Sequence, residues 1–391
     1  MRLLIATESY WPNADGGAFF EQRLALGLAG RGHHVAIWTP GTRFANYTET
    51  DGPTTIYRER AVTFWANRKY KVSFMPFFRA RAILRREKPD VIHIHNTYWI
   101  GLSTLFWAKR YHIPVVATNH FMPENALLNL KGSGLVYNQM HKLIWAFLVG
   151  FHNRVDFVTS PTPTAVKLLL DHHLKAPVEP VSNGIDMTVF KPGLNPAAVQ
   201  AKYGLATDKP VVLYLGRLDG EKRLDQILNA WPAVLKQQPA QLVLVGFGKA
   251  MASLQAQAKK LGITDSVVFT GYIDQDEKPF FYNAANMFVI SSPAELQSIV
   301  TLEAMATALP IVSVDVAALK ELCHDNENGI LFKLEDIAGL SAAINKILAD
   351  KDLHKRFSAE SSKIVRDLHS TEVMFDHYTT IYERVIAEHK S

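Results

Sequence analysis

The sequence predicts an α/β protein made of two doubly wound parallel sheets, each with helices on both faces. Three observations lead to this class. The chain has 391 residues, more than the roughly 250 to 300 at which a single core stops growing. Short apolar runs of strand length alternate with longer helical stretches, the pattern of βα units. The alternation pauses near Pro192 and then restarts, and the intervening "KPGLNPAAVQAKYGLATDKP" is rich enough in Pro, Gly and Ala to read as a linker. Two halves, with a cleft between them, are therefore expected.

Taken in order, "MRLLIAT" is a buried strand and "GGAFFEQRLALGLAG" a helix, with Gly32 near its end and a second strand at 35–39. "DVIHIHN", "PVVATNH" and "RVDFVTSP" are further short strands. Runs apolar at nearly every position suit strands covered on both faces. Past the linker, "PVVLYLGRL", "AQLVLVGFG", "SVVFTGY", "MFVISSP" and "LPIVSVD" repeat the pattern at regular intervals. No short internal repeat or low-complexity tract is present.

Composition narrows the class. A hydrophobic content of 48% with 20% charged residues excludes a disordered chain. The single cysteine, Cys323, excludes an internal disulfide and a cysteine zinc site, and suits a reducing, cytoplasmic compartment. The opening "MRLLIATESYWP" is too short for a signal-peptide core, and the apolar stretch at 143–151, "LIWAFLVGF", is well below the roughly 18 residues that span a bilayer. Residues 1–191 carry 22 Lys and Arg against 13 Asp and Glu, a net +9, and the remainder is −4. Much of the excess lies between Arg58 and Lys88, where cations and aromatics interleave. That pattern fits a nucleic-acid surface, a membrane-facing surface or a solvated helix face.

In open parallel sheets ligands bind at the carboxyl ends of the strands, so the loops there are the places to look for chemistry. "LYLGRLDGEKRLD" puts Arg217 just past a strand and Lys222 five residues on. An arginine fork with a lysine point charge can hold a diphosphate, and the same two residues are equally an ordinary charged surface. "PAELQSIVTLEAMATALP" carries Glu295 before a helix and Glu303 within its second turn, with Ser298 as N-cap and Pro310 closing the segment. Each glutamate can accept from the adjacent hydroxyls of a ribose or hexose, and free amides at the helix start can receive phosphate. Read without other context, the two acids are a loop acid and an exposed helix position.

The context is supplied by a resemblance. "GRLDGEKRLD", "VGFGK", "FTGYI" and "ELQSIVTLEAMATALPIV", preceded by "ESYWPNADGGAFF", "PDVIHIHN", "ATNHF" and "VSNGIDMTVFKP", follow one another as in the retaining glycosyltransferases of family four, and the resemblance covers nearly the whole chain. It implies the GT-B fold, with two Rossmann-like domains facing a cleft. The first, acceptor-binding domain is expected at 1–192 together with a C-terminal helix at 372–391 that crosses back to it, and the nucleotide-sugar domain at 193–371. It further implies that Glu303 binds the donor ribose and Glu295 the transferred sugar, helped by amides near Gln297, Ser298 and Ile299. Arg217 and Lys222 are to hold the diphosphate, the Gly16–Gly17 loop to approach the phosphates, and His120 to reach the sugar or reacting centre. His93 and His95 alternate along a strand and are assigned to packing or satisfied hydrogen bonds. Ser298 stands where the family commonly has glycine.

The implied activity is that of a retaining, metal-independent hexosyltransferase with no cofactor. The expected donor is a UDP-sugar, glucose first, with GDP-mannose second. "ATNHFMPENALLNL" resembles the matching segment of bacterial enzymes that glycosylate diacylglycerol, and the basic aromatic stretch suits an anionic membrane. A lipid acceptor, peripheral attachment to the inner face of the cell membrane and no nucleic-acid partner follow. A soluble acceptor and a noncatalytic partner subunit are the rival readings. "DQD" at Asp274–Asp276 resembles a metal-binding Asp-x-Asp, yet its place after "FTGYI" favours helix capping. "GFG" at 246–248 is too short for a dinucleotide fingerprint.

Overall fold

A computed structural model of the chain describes residues 1–12, 16–63, 71–73, 76–123 and 134–390. The chain divides into two compact units, Met1–Asn183 with Glu372–Ser391, and Gly184–Thr371.

In chain order the first unit comprises β1 (Arg2–Ala6), α1 (Gly16–Gly30), β2 (His34–Pro40), β3 (Tyr47–Asp51), β4 (Thr54–Glu59), β5 (Ala61–Thr63), β6 (Lys71–Ser73), α2 (Phe77–Glu87), β7 (Val91–Ile94), α3 (Trp99–Arg110), β8 (Val115–Thr118), α4 (Leu135–His152), β9 (Phe157–Ser160), α5 (Pro163–Asp171) and β10 (Val178–Pro180). Eight of these strands form one sheet in the order β10-β9-β8-β7-β1-β2-β4-β3. Only β3, at the edge, runs antiparallel to its neighbour. Strands β7 and β8 are buried along their whole length and β1 from Leu3 onward, as strands covered on both faces require.

The second unit holds α6 (Ala197–Tyr203), β11 (Val211–Leu215), α7 (Leu224–Leu235), β12 (Gln241–Val245), α8 (Met251–Lys260), β13 (Val267–Gly271), α9 (Lys278–Ala284), β14 (Met287–Ile290), α10 (Ile299–Ala306), β15 (Ile311–Val314), β16 (Gly329–Phe332), α11 (Ile337–Ala349) and α12 (Lys351–Ile364). Its six strands are all parallel, in the order β13-β12-β11-β14-β15-β16. This is the doubly wound order, and its direction reverses between β11 and β14. A last helix, α13 (Thr371–Lys390), returns to the first unit.

The two faces of the first sheet are covered by different helices. One core joins the sheet to α2, α3, α4 and α5. The other joins it to α1 and α13, which supplies Met374, Phe375, Tyr378, Ile381, Tyr382 and Val385. The fit is close: a Cβ on Gly27 of α1 would stand 1.9 Å from the Phe375 ring.

Two expectations shift. The second unit begins at Gly184, nine residues before the boundary expected after 192. Phe190 belongs to its core, and Asn283 holds this stretch by donating to Lys191 O at 3.0 Å and accepting from Leu194 N at 3.1 Å. The expected linker likewise contains α6, because Val199 and Leu205 are buried in the same core. Its small residues Ala197, Ala198, Ala201 and Gly204 face solvent, and only Val199 and Leu205 tie it to the core.

Part of the basic stretch is also structural. Arg58 is 2% exposed, bonded to Glu49, to Pro40 O and to Trp11 O. Arg79 faces the buried Glu59 at 3.3 Å. The exposed cations that remain among the described residues of the stretch are Arg81, Arg85 and Arg86 on α2 and Lys88 just after it. Residues 64–70 and 74–75 of that stretch, and 124–130 of "ATNHFMPENALLNL", lie outside the described residues.

Candidate active site

Ligand sites in sheets of this kind lie beyond the strand ends where strand order reverses. In the second unit that point is the β11/β14 junction, and the expected donor residues gather there. Lys222 follows β11 and Glu295 follows β14, and Lys222 Nζ donates to Glu295 Oε1 at 2.6 Å with both side chains largely covered. Ser291, fully buried at the end of β14, sets the Lys222 loop, its Oγ lying 2.9 Å from the carbonyl oxygens of Lys222 and Arg223.

Arg217 is placed differently from Lys222. Its guanidinium is 65% exposed and bridges Asp219 and Glu221, the latter at 2.7 Å. The backbone beneath it is firmly set, since the Tyr214 hydroxyl donates to Arg217 O at 3.0 Å. Tight packing of the β11 and β12 ends explains the "GFG" run. A Cβ on Gly246 would lie 1.9 Å from Gly216 O, and one on Gly248 2.3 Å from Leu218 O. These glycines allow two backbones to touch.

Helix α10 starts at the same edge. Ser298 is its N-cap: its Oγ accepts from Thr301 N at 3.3 Å and from Thr301 Oγ1 at 2.8 Å. The hydroxyl that replaces the family's glycine is thus turned into the helix. Gln297 and Ser298 are buried and Ile299, the first residue of α10, is half-buried.

Glu303 is the most enclosed of the expected acids, 4% exposed. Lys278 Nζ donates to its Oε1 at 2.5 Å and the Tyr282 hydroxyl to its Oε2 at 2.7 Å. Burial, then the Glu303 charge, pushes the Tyr282 phenol well above its ordinary range and keeps it a donor. Both partners come from α9, and no local pattern in the sequence points to them. The Asp-x-Asp run resolves as capping, for Asp274 and Glu277 form a capping box.

The reversal in the first unit falls between β1 and β7. Glu8 follows β1, His95 follows β7 and His120 lies beyond β8. Gly16 and Gly17 open α1, and a side chain built on Gly16 would stand in open space. His120 is half-buried against Phe20, with ring centroids 4.8 Å apart, and is stacked on His95 at 5.7 Å.

The two alternating histidines behave differently from each other. His93 is satisfied: its ring nitrogens lie 2.7 Å from the Tyr382 hydroxyl and 2.6 Å from Thr118 Oγ1. His95, 3% exposed, packs against Phe20, His93 and His120, and both its ring nitrogens are buried without a hydrogen-bond partner among the described residues, so of the expected packing or satisfied bonds it shows packing alone. Burial, and then the neighbouring imidazoles, depress its proton affinity well below the usual histidine range.

Glu8 had no sequence signal beyond its place after a strand. Its Oε1 accepts from Ile100 N at 2.7 Å, at the start of α3, and its own N–H donates to Asn96 Oδ1 at 2.8 Å. Burial raises its carboxyl to about 7, against the lowering effect of the Ile100 N–H.

Comparison with known proteins matches the two halves separately. Residues 14–189 match the family model "Glycosyltransferase Family 4" and residues 197–364 the model "Glycosyl transferases group 1". The chain is 29% identical over 366 residues to an alpha-monoglucosyldiacylglycerol synthase of Streptococcus pneumoniae, covering 92% of this chain and 81% of the relative. It is 23% identical over 372 residues to a GDP-mannose-dependent alpha-mannosyltransferase of Corynebacterium glutamicum, covering 94% and 85%. Among solved structures it resembles the sucrose-phosphate synthase of Thermosynechococcus elongatus, with a TM-score of 0.78 at 22% identity over 99% of this chain and all of that one.

Proposed function

The chain belongs to family 4 of the glycosyltransferases and has the GT-B fold, and on that premise we propose that it moves a hexose, glucose first, from a UDP-sugar to a hydroxyl of a lipid such as diacylglycerol. The observation that carries the reading is the grouping at the β11/β14 junction. A largely covered Lys222–Glu295 pair stands beside the capped start of α10, and Glu303 of that helix is anchored by Lys278 and Tyr282 of α9.

Each group has a task in that reaction. Glu303, oriented by two donors, takes the ribose hydroxyls of the nucleotide. Lys222 moves from Glu295 to the diphosphate, with Arg217 as the outer cation, and the amides of Ser298 and Ile299 add the positive end of α10. Glu295 and Gln297 then meet hydroxyls of the sugar, and His120 and the Gly16–Gly17 turn serve from the first unit. The bond from the anomeric carbon to the phosphate oxygen breaks as the acceptor oxygen adds to the same face. The acceptor proton passes to the departing phosphate, so configuration is retained and no metal is needed. Stabilising charge on the leaving oxygen is the main electrostatic task.

The name of the pneumococcal relative supports glucose and a diacylglycerol-type acceptor. The corynebacterial relative's name favours GDP-mannose as the second donor. No helix among the described residues is long and apolar enough to cross a membrane, and the proposed place of work is the inner face of the cell membrane, as a peripheral protein. A soluble acceptor and a noncatalytic partner subunit are the competing readings.

The test is transfer from radiolabelled UDP- and GDP-sugars into diacylglycerol vesicles, with chelator present and Glu303→Ala in parallel. Labelled glycolipid from the wild type alone supports the reading. Label appearing only on soluble sugars removes the lipid acceptor, and neither transfer nor donor hydrolysis by the purified chain favours the partner subunit.

A further inference from the structure

Exposed apolar side chains are distributed unevenly over the first unit. Of its two helical layers, the one made of α1 and α13 has no exposed large hydrophobic residue among the described residues. The α2–α5 layer has many. Trp99 is 59% exposed and shares a stripe along α3 with Leu102 and Phe106, at spacings of three and four. Phe77 joins this stripe to α2, its ring 4.9 Å from that of Phe106, beside the exposed Phe78.

Helix α4 is apolar on both sides. Trp145, Leu148 and Val149 face the core, while Val136, Met140, Leu143 and Phe147 form an outward stripe, with Leu143 64% exposed. A helix that is hydrophobic all round is normally enclosed, and the outward stripe runs for about 16 Å along this one. Single exposed apolar residues need no explanation, but outward apolar side chains on three helices of one layer mark a contact surface.

The exposed charges on α2, α3 and α4 of that layer have one sign. Arg81, Arg85 and Arg86 of α2, Lys109 and Arg110 of α3 and Lys142 of α4 are exposed. The only acid in the three helices is Glu87, which is buried against Arg2, His34 and Tyr57. By contrast, α13 on the opposite layer carries Glu372, Asp376, Glu383 and Glu388. Apolar side chains bordered by unopposed cations are what the interface of an anionic bilayer accepts.

We infer that the outer faces of α2, α3 and α4 seat this protein on an anionic phospholipid bilayer, with the stripes on α3 and α4 entering the headgroup and acyl boundary. This deepens the lipid-acceptor reading and rests on it for the source of the lipid. Both α3 and α4 begin at the carboxyl edge of the sheet, where Glu8, His95 and His120 lie. An acceptor hydroxyl reaching that edge therefore has apolar surface beside it for its chains.

The fully buried Cys323 leaves an introduced surface thiol free to be labelled selectively. The full-length protein carrying Leu143→Cys, tagged with a polarity-sensitive fluorophore, is mixed with vesicles of phosphatidylglycerol and phosphatidylcholine. A control variant carries Glu383→Cys on α13. The inference expects a blue shift at 143 and none at 383, present with phosphatidylglycerol and absent with pure phosphatidylcholine. In sedimentation, Leu143→Ser with Phe147→Ser, or Arg85→Glu with Lys109→Glu, should weaken vesicle binding at least tenfold while circular dichroism and Tm stay near wild type.

Pelleting without a shift at 143 would overturn the assignment of this face. So would a concentration-dependent dimer, abolished by the Ser variants, in a protein that ignores vesicles; the face would then be an interface between copies. Transfer to a short-chain, water-soluble diacylglycerol separates the two claims. If the docking variants keep that activity, docking is distinct from chemistry. If the wild type docks but glycosylates no lipid, the surface stands and the acceptor reading falls.

Discussion

Lys222 Nζ and Glu295 Oε1 lie 2.6 Å apart, although 73 residues separate them and each was expected to face a different part of the donor. Without donor, each neutralises the other. Donor binding has to exchange this pair for Lys222–phosphate and Glu295–hydroxyl contacts. The two substitutions should therefore act in opposite directions on UDP, which lacks the sugar. Lys222→Ala should weaken UDP binding and lower kcat/KM roughly 100- to 1,000-fold. Glu295→Gln should leave UDP binding equal or tighter while still impairing transfer. Calorimetric titration with UDP checks this, and parallel weakening by both variants would contradict the exchange.

Glu303 is held so closely that its removal should be felt in the fold as well as in catalysis. Glu303→Ala leaves the covered Lys278 ammonium without its partner, a change that costs about 3–5 kcal/mol in comparable buried pairs. Tyr282→Phe removes the hydroxyl that serves Glu303 Oε2 and Val300 O and should cost about 1.5–3 kcal/mol. Urea unfolding measures both. If nucleotide stabilises the wild type but not the correctly folded Tyr282→Phe protein, the orienting role of the phenol is supported.

Ser298 caps α10 with its own hydroxyl, so its departure from glycine concerns the helix more than the sugar. Ser298→Gly should cost only a few tenths of a kcal/mol, and Ser298→Ala about 1 kcal/mol. Donor preference should be the same in both. A change of preferred sugar in Ser298→Gly would show that the hydroxyl lines the pocket.

Glu8 gives a pH signature. Its carboxyl is raised in the folded protein from the ordinary 4.5 to about 7, so the folded state holds the proton more tightly than the unfolded one. Its contribution is then most favourable below pH 4.5 and is lost as pH rises through 7. Glu8→Gln, which stays neutral, should raise Tm at pH 8, and the advantage should disappear by pH 4.5. An advantage independent of pH would mean that the carboxyl is ionised in the fold.

Helix α13 completes one face of the first core. Its buried side chains include six apolar or aromatic residues, each worth about 1.5–3 kcal/mol of burial. Their sum is comparable with the whole net stability of a domain. A chain ending after Glu372 should lose cooperative unfolding of the first unit and all transfer activity. Circular dichroism and activity after purification test this, and retained activity would mean that the helix is dispensable.

Much of the fold can be read from local pattern, because strands such as β11 and β14 are covered on both faces and leave unbroken apolar runs. The short β3, β5 and β6, partly exposed, leave no such run. Helix α6 was hidden in a stretch that resembles a linker, and only its burial against the second core identifies it. In the site, the positions of Glu295, Ser298 and Glu303 follow from one contiguous motif. Their partners do not, since the pairing of Lys278 with Glu303 and of Lys222 with Glu295 is set by strand order rather than by spacing. Glu8 and His95 show the same limit. Their residue types were visible, but burial gives each its character.

The hydroxyl of Tyr382 reaches His93, and that of Tyr378 lies 3.3 Å from both Thr118 and Thr159. The strand ends carrying these residues are translated before the second unit, and the two tyrosines after it. A nascent chain leaving the ribosome can therefore close its second unit while the first still lacks one of the two helices that cover one face of its sheet. The unit begun first is completed after the other, and a message cut short ahead of Glu372 yields a protein missing the packing behind its histidines.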